Sequence, residues 1–172
     1  MKAITNGKII TPHGIREGVL VYDNGKITGI SDVVPQGAET IDAKGNYVSP
    51  GFIDIHIHGG GGGDTLDGKV ESYLMIANSQ AEHGTTTLYP TVMTSTPESL
   101  YNSVNAYREA LKINDKGSSM PGIHIEGPYF APTKAGAQDK RYIRSPKKEE
   151  YLEILDKCPE VVRWDFAPEL AD

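Results

Sequence analysis

His56 and His58 stand two residues apart in the segment Phe52-Ile53-Asp54-Ile55-His56-Ile57-His58. Side chains alternate along a strand, so residues i and i+2 share a face and two imidazoles at this spacing can converge on one ion. The pair also reads as two polar residues on the solvent side of a strand. Its neighbours Ile53, Ile55 and Ile57 are apolar, however, which predicts a strand buried on both faces. Four buried ring nitrogens then need partners, and a metal backed by hydrogen-bond acceptors supplies them. Glu126 closes another apolar run, Gly122 to Glu126, just before Gly127-Pro128 turns the chain. That places its carboxylate at the same C-terminal rim as the two histidines, where a buried Glu calls for a cation. Alternatively it caps the next loop or pairs with a Lys or Arg. His124 shares the face of Glu126 one layer deeper, and Asp54 lies two residues below His56. Both are read as hydrogen-bonding residues that orient the metal-binding groups rather than as ligands.

The run Gly59 to Gly63 follows the histidine pair, at the strand end where barrel enzymes keep their active sites. It reads either as backbone that approaches a ligand closely or as a flexible loop, and no GxxxxGK pattern points to a phosphate cradle. His83 sits at a helix end, where a cation meets the dipole favourably, and His13 falls in the N-terminal β-rich stretch. Cys158 is the only cysteine. It has no partner for an intrachain disulfide or a metal knuckle and reads as a half-buried small apolar residue.

These groups must be carried by strands and helices that take turns. Up to residue 48 the chain consists of short β-prone runs (Ala3 to Thr5, Lys8 to Ile10, Gly18 to Tyr22, Lys26 to Ile30) cut by Asn6-Gly7 and Asn24-Gly25. Asn-Gly favours the type I′ turn, so two tight hairpins in a small antiparallel β unit are predicted for residues 1–48. From residue 49 the order becomes strand, helix (Val70 to His83), strand (Thr85 to Tyr89), helix (Thr96-Pro97 to about Ile113), strand (Gly122 to Glu126), helix (Ser145-Pro146 to about Lys157) and strand (Val161 to Phe166). Such alternation implies parallel strands joined by right-handed crossovers. A closed (β/α)8 barrel needs about 250 residues, more than lie between 49 and 172. The predicted fold is therefore α/β: the first half of a TIM-like barrel over 49–172, preceded by part of a β-sandwich. The ending Trp164 to Asp172, just past a strand with no helix to cover it, fits a broken-off barrel better than a finished open sheet.

Composition narrows the function classes. With 38% hydrophobic residues, 19 Gly and 11 Pro in 172 residues, the chain is ordinary globular protein, not disordered, collagen-like or a disulfide-stapled miniprotein. The 17 Lys and Arg against 23 Asp and Glu give a formal charge of −6, with no basic stripe for nucleic acid. No apolar run approaches the roughly 20 residues that span a bilayer, and the opening Met1 to Ile10 lacks secretory features. A cytoplasmic protein without membrane partner is expected.

The motifs Asn6-Gly7-Lys8-Ile9, Gly25-Lys26-Ile27, Pro50 to Gly59, Gly84-Thr85-Thr86-Thr87 and His124-Ile125-Glu126-Gly127-Pro128-Tyr129 together resemble the amidohydrolase superfamily. Within it they resemble the deacetylases of N-acetylglucosamine 6-phosphate, across essentially the whole chain. The resemblance implies a (β/α)8 metal-dependent hydrolase fold, with Glu126 on the catalytic divalent metal (Zn, Fe, Mn or similar) and His56 and His58 on a second ion in binuclear members. Lys134 to Gln138 matches a loop that touches the sugar, implicating Ala137 and Gln138 in substrate binding, with Gln138 in place of the family's histidine. Ala167-Pro168-Glu169 resembles the fourth-strand end, its Glu structural. The implied reaction is hydrolysis of the substrate acetamide to glucosamine 6-phosphate and acetate. A bound divalent ion brings the pKa of water from about 15.7 to about 7 and polarises the carbonyl, and a carboxylate relays a proton to the amine. That Asp and two further metal-binding histidines belong to later strands in the family, so the chain alone is expected to be inactive. The implied partner is a small amino-sugar phosphate, with a homodimer expected by analogy. Rival readings are another amidohydrolase, for instance one acting on a cyclic amide, and a noncatalytic scaffold of the same fold.

Overall fold

The computed structural model describes residues 1–170, so the last two residues of the closing stretch lie outside the described ones. The chain divides into two compact units, Met1–Pro50 and Gly51 onward.

The first unit contains seven short strands: β1 (Lys2–Thr5), β2 (Lys8–Thr11), β3 (Gly14–Arg16), β4 (Val19–Asp23), β5 (Lys26–Ser31), β6 (Glu39–Asp42) and β7 (Tyr47–Val48). They form a four-stranded sheet in the order β5-β4-β1-β6 and a three-stranded sheet in the order β3-β2-β7. The Asn24-Gly25 hairpin joins antiparallel β4 and β5 as predicted, with positive φ at both turn residues (48° and 75°), the type I′ requirement. Asn6-Gly7 makes no hairpin, because β1 and β2 enter different sheets. Asn6 takes φ 54° and donates its amide to Asp42 at 3.1 Å. At Gly7 a Cβ would lie 2.5 Å from Val48 Cγ2, so this glycine serves a close approach at a corner between sheets. The unit is also not wholly antiparallel: β6 and β7 pair parallel with β1 and β2.

The second unit contains β8 (Phe52–Ile57), the two-residue β9 (Gly59–Gly60) and β10 (Gly63–Asp64), α1 (Val70–Glu82), β11 (Thr85–Val92), α2 (Pro97–Ile113), β12 (Ile123–Glu126), α3 (Lys148–Lys157) and β13 (Val161–Asp165). Four strands form one parallel sheet in the order β13-β12-β11-β8. Each strand therefore lies beside the one before it in the chain, with a helix in each connection: the winding of a barrel, carried through four strands. Thr96 caps α2, its hydroxyl accepting from Ser99 N–H at 3.1 Å, and Pro97 opens the helix; both were legible from the Thr-Pro-Glu start signal. Helix α3 begins later than Ser145-Pro146 suggested, after Lys147.

The core lies between helices and sheet and contains Tyr73, Ile76, Leu88, Val92, Val104, Tyr107, Ile123, Ile125 and Ile154. Cys158 belongs to it, fully buried rather than half-buried, and burial pushes its thiol pKa up. Strand β8 departs from expectation. Phe52, Ile53 and Ile55 are 65%, 66% and 54% exposed, because β8 is an edge paired only with β11 and a four-stranded arc supplies no opposite wall. The glycine run is no flexible loop but a tight hairpin, Gly63 pairing with Gly60. A Cβ at Gly63 would meet Ser72 of α1 at 2.7 Å, so these glycines pack backbone on backbone. Among the described residues no helix is long and apolar enough to cross a membrane.

Candidate metal centre

The parallel register brings together what the sequence separates. Strand β11 lies between β8 and β12, and the ends of the outer two carry their polar groups over it. His58 Nε2 and His56 Nε2 are 3.2 Å apart. Glu126 Oε2 lies 3.2 Å from the first and 3.4 Å from the second. A tetrahedron whose vertices are about 2 Å from its centre has edges of about 3.3 Å, so the three donors are spaced like three ligands of one ion.

Two further observations test that fit. His58 Nδ1 is 3.1 Å from the Thr91 carbonyl oxygen. A carbonyl only accepts, so Nδ1 carries the proton and Nε2 presents a bare lone pair to the centre, the arrangement of metal-binding histidines. Glu126 Oε2 is buried and has no hydrogen-bond partner, although both imidazoles are near. Beside the bare nitrogen of His58 it is an acceptor facing an acceptor in a shielded place, which is costly unless a cation joins them. The donor set and its orphaned oxygen thus fit a divalent metal.

Thr91, absent from the sequence reading, organises the surroundings. Its carbonyl also accepts from the Thr65 hydroxyl at 2.8 Å. Its own hydroxyl accepts from Ile57 N–H at 3.0 Å and lies 3.0 Å from His124 Nδ1. Nothing distinguishes this threonine from its β-branched neighbours in the sequence. Asp54 accepts from the His56 backbone N–H at 2.9 Å, steadying the strand at His56 rather than its ring. His124 is fully buried, and burial holds its imidazole below the ordinary pKa, with Asp165 pulling the other way.

Asp165 and Arg163 were also missed. Glu126 is in register with Asp165, and His124 with Arg163. The Arg163 guanidinium donates to both Asp165 oxygens (3.2 and 3.0 Å) and reaches the Ile55 carbonyl at 3.2 Å. The only sequence signal was their i, i+2 spacing at the end of the fourth strand. Of the two residues placed in the loop after β12, Ala137 is exposed. Gln138 is buried, its Oε1 accepting from Thr94 N–H at 3.1 Å, and the Thr94 hydroxyl donates to the Glu126 carbonyl at 3.3 Å. Gln138 is thereby tied to the strand end that carries Glu126.

Comparison with known proteins shows the family. The chain is 36% identical over 136 residues to the N-acetylglucosamine-6-phosphate deacetylase of Bacillus subtilis, a match over 76% of this chain and 34% of that protein. The crystal structure of N-acetylglucosamine-6-phosphate deacetylase from Pasteurella multocida superposes with a TM-score of 0.86 at 31% identity, over 99% of this chain and 45% of the other. A D-hydantoinase crystal structure superposes less well, with a TM-score of 0.54 at 27% identity, over 95% of this chain and 32% of the other. The chain spans about a third of the length of the curated relative and less than half of the better-matching structure. The family model described as the amidohydrolase family matches residues 47–170, the stretch that contains all four parallel strands and every donor just described, and the chain belongs to that family.

Proposed function

We propose that this chain is the metal-binding N-terminal portion of an N-acetylglucosamine-6-phosphate deacetylase, which hydrolyses the acetamide to glucosamine 6-phosphate and acetate. The observation that carries the reading is the meeting of His56, His58 and Glu126 within 3.4 Å at one rim of the parallel sheet. Likeness to the deacetylases, well above the likeness to the D-hydantoinase, supports the substrate class over a cyclic amide.

In this reading Glu126, His56 and His58 hold a divalent ion such as Zn, Fe or Mn, which when bound activates water and polarises the acetamide carbonyl. The Thr91 carbonyl fixes the tautomer of His58, and Asp54 fixes the backbone of His56. Ala137 and Gln138 contact the sugar. With Oε1 of Gln138 held by Thr94 N–H, its Nε2 group remains to donate, which suits hydroxyl or phosphoryl oxygens. The proton donor to the leaving amine and the remaining metal ligands are supplied by residues other than those of this chain. A cytoplasmic place in amino-sugar metabolism and a homodimer belong to the same reading, checked by cell fractionation and by sedimentation.

The test is acetate release from N-acetylglucosamine 6-phosphate. The metal-loaded 172-residue chain is expected to release none, and the longer protein that contains it is expected to turn over, losing at least about a hundredfold in kcat with Glu126→Gln. Turnover of a cyclic amide in place of the sugar phosphate overturns the substrate; full activity of E126Q overturns the site.

A further inference from the structure

A second set of donors abuts the first and is not accounted for by it. The His124 ring has no exposed surface, and its two nitrogens face different partners. Nδ1 lies 3.0 Å from Thr91 Oγ1. That hydroxyl accepts from Ile57 N–H at 3.0 Å and is 3.2 Å from the Tyr89 carbonyl oxygen. A hydroxyl has one proton and two lone pairs. With the proton on the Tyr89 carbonyl and one lone pair on Ile57 N–H, the other lone pair takes a proton from His124 Nδ1. The network therefore assigns the Nδ1–H tautomer and leaves Nε2 as a bare lone pair.

That lone pair is buried and has no hydrogen-bond partner. Asp165 Oδ2 is 3.2 Å away but off the direction in which a ring N–H would donate. Two electron-rich atoms held this close, one of them fully buried, repel unless a cation lies between them. The His56 ring is next to them, its centroid 4.7 Å from that of His124, and one donor atom from each of His56, His124 and Asp165 falls within 4.8 Å of the others. Arg163 anchors the Asp165 carboxylate as ligating carboxylates are commonly anchored, although its charge lowers the affinity for a cation. Asp165 is about one-third exposed, which leaves an entry path.

We propose that His124, Asp165 and His56 form a second divalent-cation position beside the His56–His58–Glu126 triad. Two nitrogens and a carboxylate oxygen suit a borderline ion such as Zn or Co. Because His56 is common to both, an ion that uses it in one position leaves the other with two protein donors, and the two positions differ in affinity. The inference concerns cation binding alone and needs neither the substrate nor the reaction assigned above.

The test uses the full chain, stripped with chelator and titrated with Co2+, read by visible absorption and by metal content after gel filtration, with circular dichroism as the folding control. The double variant H58Q/E126Q keeps only the second set and is expected to bind one Co2+ per chain. Adding D165N is expected to weaken that binding at least about tenfold, whereas D165N alone retains the ion held by the triad. No binding by H58Q/E126Q, or binding by it that D165N leaves unchanged, overturns the second position. Binding by H58Q/E126Q together with none by D165N upholds it and instead sinks the triad.

Discussion

Thr91→Val is the sharpest probe of how the centre is built, because it keeps the shape of a fully buried strand residue and removes one oxygen. That oxygen accepts from Ile57 N–H and, by the tautomer assigned above, from His124 Nδ1–H. Valine strands both donors. Each unsatisfied buried donor costs about 1–3 kcal/mol, and the added methyl group returns about 0.8 kcal/mol, so a net destabilisation of about 1.2–5.2 kcal/mol is expected. The chain has one tryptophan, Trp164 on β13, so urea unfolding followed by its fluorescence reports on the unit that carries the centre. At a slope of about 2 kcal/mol per M, the midpoint should fall by about 0.6–2.6 M with the slope unchanged. Thr91→Ser keeps the hydroxyl and loses only a methyl group, for about 1 kcal/mol. The backbone carbonyl that orders His58 is untouched, so metal binding at the triad should survive. A Thr91→Val protein within about 0.5 kcal/mol of the parent would refute the idea that this hydroxyl satisfies two buried donors.

Other perturbations test different parts of the structure. Adding a divalent ion at about 100 times its Kd should stabilise the unit by about 2.7 kcal/mol, a rise of roughly 5–11 °C in Tm for a chain of this size; chelator should reverse it, and in E126Q/D165N, which removes a donor from each position, a scan should show little rise. Tyr107, buried and donating to the Met120 carbonyl at 2.7 Å, has its pKa pushed up to about 12 by burial. Because that value exceeds the unfolded one of about 10, its contribution is whole below pH 10 and is lost as pH rises to 12, about 3 kcal/mol in all. Tyr107→Phe should flatten the alkaline limb of stability against pH, and an unchanged limb contradicts the assignment. Gly127 has φ 85° and would place a Cβ 2.2 Å from Thr94 Oγ1. Gly127→Ala should therefore cost at least about 2 kcal/mol and loosen Glu126 next to it, visible as weaker metal binding; a Tm within 1 °C of the parent rules this out.

Much of the unit was legible because the decisive interactions are local. The Thr96-Pro97-Glu98 signal marks the start of α2, and the β-branched and apolar runs mark β11 to β13, since caps and strand alternation act within a few residues. The failures are just as instructive. Asn6-Gly7 and Asn24-Gly25 are identical dipeptides, yet only the second is a hairpin; whether β2 returns along β1 or leaves for another sheet depends on Val48 and Asp42, some 40 residues away. Ile53 and Ile55 of β8 look like core residues and are exposed, because burial requires a facing layer and not merely an apolar side chain.

The i, i+2 histidines and the glutamate before Gly-Pro carry their chemistry in the order of the residues, so the family could be read, and a candidate cation-binding rim expected, from the chain as written. That Glu126 Oε2 meets both imidazoles, that the Thr91 carbonyl sets the tautomer of His58, and that Asp165 and Arg163 stand beside Glu126 and His124 could not. These contacts join strands that are neighbours only through parallel pairing, and a register shift of one residue turns every side chain to the other face. Local spacing chooses which groups share a face of one strand; the pairing of strands chooses which faces meet.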